Sequence, residues 1–222
     1  MTNIVNEIDI LGLVRYTVEF YNLKIDKKKF LIETFFSNFG ENKKKLDEII
    51  EKSPLEAGIF LNTIRLKFNE IVEEEIKLAY SSYSNIVSSI DGKSFVSPKV
   101  YQILIYSIRV IQKLNYLCTP RGIFPENANV SSQDIKILIL YLAIMFSETN
   151  NPSLNNTLKQ YNSTNINIPN EMFDKAYQVV ANTIQSYNKS SSIMPILQNI
   201  SKGMLASNLK KMSNRLALAF LG

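Results

Sequence analysis

The sequence predicts an all-α protein, a single multi-helix bundle of seven or eight helices. Three observations carry this. Apolar residues recur at spacings of three and four along most of the chain, no persuasive strand alternation interrupts them, and Asp, Ser-Pro and Ser-x-x-Asp signals mark several helix starts. With 222 residues, 45% of them hydrophobic and 20% charged, the chain can bury one sizeable core and is too apolar for disorder. Residues 1–222 read as one α-helical domain, with 1–25 an N-terminal extension helix and 147–168 a polar loop.

Ile4, Ile8, Leu11, Val14, Val18 and Tyr21 line one side of a first helix ending near Leu23. Asp26 can cap a second ahead of Lys27 to Phe39, and Gly40 fits as its stop. Leu46, Ile49 and Ile50 mark a short third helix that ends at Ser53. Ser53-Pro54-Leu55-Glu56 then reads as a capped start with proline at the first helical position, opening the longest helix. Its apolar positions continue from Leu55 through Ile64, Phe68, Val72 and Ile76 toward Ile86, with Glu73, Glu74 and Glu75 on a solvated face, and Asp91-Gly92 turns the chain.

Ser97-Pro98 repeats the serine-proline start and leads into Val100 to Leu117, apolar around much of its girth and therefore central. Pro120, Gly122 and Pro125 make a loop, and Ser131-Ser132-Gln133-Asp134 caps a second central helix from Ile135 to Phe146. That continuous apolar run also permits a buried strand. Ser147 to Asn167 is rich in Asn, Ser and Thr, the composition of a loop or a short helix. Helical spacing resumes from Asn170 to Tyr187, and a last helix follows Met194-Pro195, with Ile200, Met204, Leu205, Leu209, Met212, Leu216 and Phe220 as its stripe.

The residue inventory narrows the chemistry. There is no histidine, which removes the commonest metal ligand and general base, and the single cysteine, Cys118, excludes an internal disulfide or a multi-cysteine zinc site. Cys118 at an apolar helix end reads as a core residue rather than a nucleophile. Glu70, Glu73 and Glu74 share part of a helix face, but a second ligand-bearing helix is missing, so they read as solvated. Phosphate-cradling glycine motifs are absent. No catalytic residue, cofactor-binding residue, metal ligand or cofactor is expected.

The net charge of +5 is uneven, with 12 basic and 14 acidic residues in 1–80 against 13 and 6 in 81–222. Arg109, Lys113, Arg121, Lys202, Lys210, Lys211 and Arg215 raise nucleic-acid binding as an option, with Tyr101, Tyr106 and Tyr116 as stacking platforms. The tyrosines sit at helical spacing among isoleucines and no nucleic-acid motif accompanies the charge, so core packing is the simpler reading. The candidate surface for a membrane or a partner is the last helix, through Lys202, Lys210, Lys211 and Arg215. The competing reading has its apolar stripe closing the domain core. Met1 to Gly12 lacks a basic start and a cleavage site, and no apolar run approaches the roughly 18 residues of a membrane span, so a cytoplasmic protein is expected.

Four blocks in order resemble the EcsC family of bacterial α-helical proteins: Asp26-Lys-Lys-Lys-Phe-Leu with Ile50-Glu-Lys-Ser-Pro-Leu-Glu-Ala-Gly-Ile59; Ile108-Arg-Val-Ile-Gln-Lys-Leu-Asn-Tyr-Leu117; Leu142-Ala-Ile-Met-Phe146; and Ile193-Met-Pro-Ile-Leu197 through Met212-Ser-Asn-Arg-Leu216. The chain departs from the family at Ser84 to Gly92 and Gln198 to Gly203, where members are glycine-rich and apolar. The resemblance implies a diverged, more soluble relative, because Ser, Asn, Asp and Lys at those places disfavour hydrocarbon. With no catalytic constellation in the sequence, the expected role is a non-catalytic interaction protein that binds a protein partner or, weakly, the inner membrane face. A phage or mobile-element defence or counter-defence protein acting by protein binding, and a small enzyme using carboxylate or lysine chemistry, remain the alternatives. Neither oligomeric state nor partner is written in the chain.

Overall fold

Nine helices and no strand occupy the described residues of the computed structural model, 9–40, 42–81, 96–124, 129–148, 151–164, 167–189 and 198–221; within these, side chains of 80–81, 162–164 and 198–205 are not described. They are α1 (Ile10–Phe20), α2 (Lys27–Phe39), α3 (Lys43–Lys52), α4 (Leu61–Ser81), α5 (Pro98–Cys118), α6 (Ser132–Phe146), α7 (Pro152–Thr164), α8 (Asn170–Lys189) and α9 (Gln198–Leu221). The all-α bundle is as expected, with nine helices in place of seven or eight.

The ninth is α7, inside the segment expected as a polar loop or a short helix, and the short helix is what forms. Asn151 caps it, its Oδ1 accepting from the Leu154 amide, and Leu154 and Leu158, one turn apart, are fully buried. With Tyr161 packed against the core at i+7, they hold a largely polar helix in place. At the other end of the chain, α1 closes in a Schellman motif: Asn22 is left-handed at φ 46°, and the Leu23 and Asn22 amides donate back to Val18 and Glu19. Ile10, Val14 and Val18 are buried against α5, α6 and α8, so this helix within 1–25 shares the common core.

The expected cap at Ser53 forms, but the helix does not continue from it. Ser53 Oγ accepts from the Glu56 amide at 3.3 Å, then Gly58 takes φ 78° after a single turn and α4 starts afresh at Leu61. Glycine tolerates that left-handed conformation, and it ends the turn that the serine begins. The expected turn at Asp91-Gly92 and the start at Met194-Pro195 lie outside the described residues.

α5 and α6 form the centre. Seventeen of the 21 residues of α5 are buried, and it touches α1, α2, α4, α6, α8 and α9. α6 is buried from Ile137 through Phe146 on every side, and its capping box, Ser131 with Asp134, starts a helix of 15 residues, which settles helix over strand for this run. α2, with α3 folded against it, packs on one flank of α5, and α4 and α9 cover another.

Polar side chains of α5 set its neighbours' positions. Gln112 Nε2 donates to the Leu23 carbonyl at 2.8 Å and its Oε1 accepts from the Ile25 amide, while Tyr116, one turn on, donates its hydroxyl to the Ile25 carbonyl at 3.0 Å. These bonds satisfy backbone groups of the α1–α2 linker that burial would otherwise strand. Gln102 likewise donates to the Ala79 carbonyl on α4 at 2.6 Å.

Candidate functional site

Three features hold the residues singled out from sequence. The first is α9. Leu209, Met212, Ser213, Leu216 and Ala219 are buried against α4, α5, α6 and α7, and Phe220 stacks on Tyr141 with ring centroids 5.5 Å apart. The apolar stripe therefore closes the core. Tyr106 and Ser213 hydroxyls lie 2.6 Å apart inside this contact, and desolvation raises the Tyr106 phenol well above its ordinary value. Of the four candidate surface residues, Lys210 is ion-paired to Glu73 of α4 at 2.7 Å, a contact that holds the Glu73 carboxyl below the usual carboxylate range. Lys211 is exposed and Arg215 half-buried, and the side chain of Lys202 lies outside the described residues. Lys211, Arg215 and Leu218, the last 59% exposed, fall at i, i+4 and i+7 on one outward face.

The second feature is a charged cluster inside the α4–α5 contact. Glu75, expected on a solvated face, is 1% exposed. Its Oε2 accepts from Arg109 Nε at 2.7 Å, and Lys113 Nζ lies 2.7 Å from Oε1, an ionic contact rather than a directed hydrogen bond. Lys113 also reaches Glu74 at 3.8 Å and stands 5.7 Å from the centre of the Phe30 ring. Arg109 and Lys113 are one turn apart and grip one carboxylate between them. They are thus committed to the interior, not to an external polyanion. Tyr101, Tyr106 and Tyr116 are buried, in line with core packing.

The third feature, which sequence reasoning missed, is a pocket of ≈ 300 Å³ where α5 ends and the chain folds back through 119–124. Asn115 and Tyr141 form a buried floor, Asn115 Nδ2 donating to the Tyr141 hydroxyl at 2.7 Å. Thr119, the C-cap of α5, has the Arg121 carbonyl at 2.9 Å and the Asn115 carbonyl and Oδ1, each at 3.1 Å, as acceptors for its one hydroxyl proton. Gly122 fits closely here, because a Cβ would lie 3.0 Å from the Tyr116 ring and 3.2 Å from the Phe124 carbonyl, so a larger residue would have to push these neighbours back by a few tenths of an ångström. Tyr161 of α7 flanks the pocket, its phenol raised by desolvation and by Asp134 against the opposing influence of Arg121. Glu56 and Arg121 both line it and are exposed. Its residues come from four separate stretches of chain, and no short motif announces them.

Cys118 is buried and desolvation pushes its thiol up to about 12, so it stays protonated at neutral pH and is a poor nucleophile. Among the described residues no group of three or more Cys, Asp or Glu side chains is placed to hold a metal, and no helix is long and apolar enough to cross a membrane. Comparisons with protein-family models, with curated proteins and with solved structures found no match.

Proposed function

We propose that the chain is a non-catalytic helical interaction protein of EcsC-like type, acting in the bacterial cytoplasm, that engages an acidic protein partner through the outer face of α9. The observation that carries this reading is the alignment of Lys211, Arg215 and Leu218 on a helix whose opposite face is locked into the core. Lys211 and Arg215 have no carboxylate partner among the described residues, and an exposed leucine about one turn beyond Arg215 suits a protein surface that offers an apolar recess beside acids. Peripheral binding to anionic lipid is less well supported. Insertion needs the apolar stripe, which is occupied, and Glu73 already neutralises Lys210.

The EcsC-like part of the proposal rests on the four sequence blocks. In the fold Gln112, Lys113 and Tyr116, polar members of the block from Ile108 to Leu117, make contacts between helices or to a linker, which gives those residues a structural role in this chain.

A photocrosslinking side chain at Leu218 or Lys211, with Lys28 on α2 as control, tests the partner surface in cells. A discrete protein adduct from 218 and 211, absent from 28 and lost on adding Arg215→Glu, is expected. Equal adducts from all three positions, or salt-sensitive flotation of the purified chain with anionic vesicles, would contradict it.

A further inference from the structure

The pocket at the end of α5 presents opposite charges that do not meet. Among the described residues neither Arg121 nor Glu56 makes an ion pair, although both line this one small cavity. A carboxylate and a guanidinium that line one cavity without pairing suit a molecule that carries the complementary charges itself. The helix end sharpens the polarity, since Asn115 and Thr119 place the carbonyl end of α5 at the cavity, and its partial negative charge favours a cation nearby.

Other ligand classes fit less well. A phosphate or nucleotide calls for amide groups at a helix N-terminus or for several cations, and this cavity offers one arginine. A divalent metal calls for several oxygen ligands including carboxylates, and Glu56 is the one acid in the lining. The buried polar floor is satisfied internally by the bonds among Asn115, Tyr141 and Thr119, so it does not itself demand a polar ligand. Ile123 and Ile137 give the walls apolar area, and ≈ 300 Å³ is at the small end of ligand cavities.

We infer that this pocket binds a small free zwitterion of the α-amino-acid type, with its carboxylate on Arg121, its ammonium toward Glu56 and the carbonyl end of α5, and its side chain against Ile123 and Ile137. The inference is independent of the α9 surface, because none of Lys211, Arg215 and Leu218 lines the cavity.

Titration calorimetry on the full chain, with L-leucine and L-serine as probes, tests it. N-acetyl-L-leucine keeps only the carboxylate and L-leucine methyl ester only the ammonium. At least one free amino acid should bind at millimolar concentration or tighter, with both blocked forms and both variants, Arg121→Ala and Glu56→Gln, weakened about tenfold or more. Both side chains are exposed, so the variants should keep the parent's melting temperature, which is checked alongside. Absence of binding by both amino acids, equal binding by a blocked form, or binding retained in either variant would overturn the inference.

Discussion

Glu75 shows how much one side chain can fix. It is buried, and Arg109 and Lys113 reach it from the facing helix, so the three charges define how α4 sits along α5. A buried pair is weak evidence of net stabilisation, but removing one member leaves the others uncompensated. Glu75→Ala should therefore lower unfolding free energy by about 3 kcal/mol or more, measured by urea denaturation. A loss below about 0.5 kcal/mol would mean that the cations find water instead. The position was partly legible in sequence. Glu75 keeps phase with Phe68, Val72 and Ala79 of the buried stripe, yet within Glu73-Glu74-Glu75 nothing local says that the third points inward, because its partners are more than thirty residues away.

Cys118 gives a second prediction at this scale. Its thiol titrates near an ordinary 9.0 when unfolded and is raised to about 12 in the fold. Above pH 9 the unfolded chain releases this proton while the folded chain retains it, so stability falls as pH rises between those values. Between pH 8 and 10.5 the thiol alone should remove about 2 kcal/mol, and Cys118→Ala should lose that much less than the parent over the same range. Identical pH profiles for the two proteins would show that the thiol ionises without unfolding.

Among the elements, α7 most clearly separates composition from structure. Its segment is dominated by Asn, Ser and Thr, a loop composition, and the helical signal is carried by three residues, Leu154, Leu158 and Tyr161. Such a signal is too short to read from periodicity, although Asn151-Pro152 is a legitimate helix start. Leu154→Ala and Leu158→Ala should each cost about 2 kcal/mol or more, whereas Lys159→Ala, on the exposed side, should be nearly neutral. Equal, negligible effects from all three would restore the loop.

The caps behave differently. Asp26 and the Ser131–Asp134 box were legible because a cap is a local arrangement, written within four residues. The Ser53 start was equally well written, and its hydrogen bond is present, yet Gly58 five residues on decides the length. Caps specify where a helix can begin, and the next left-handed residue specifies whether it continues.

For the whole molecule, the sequence conveyed the all-α class and the central pair because α5 and α6 are apolar nearly all round, a pattern that only burial on every side explains. The pocket was not legible. Glu56, the 119–124 turn, α6 and α7 meet only in the folded chain, so no spacing connects them. The last helix lay between the two cases: its stripe was plain, but whether core or membrane covers a stripe depends on helices far away in sequence. In the fold α4, α5, α6 and α7 cover it, and only its outer face is left for a partner.

Hydrogen exchange of the α9 backbone, with and without anionic vesicles, tests that arrangement most directly. If α9 closes the core, amides from Leu209 to Leu216 exchange as slowly as those of α5 and are unchanged by vesicles. Exchange as fast as that of the peripheral α3, or new protection of α9 when vesicles are added, would contradict the account and return its apolar stripe to the membrane.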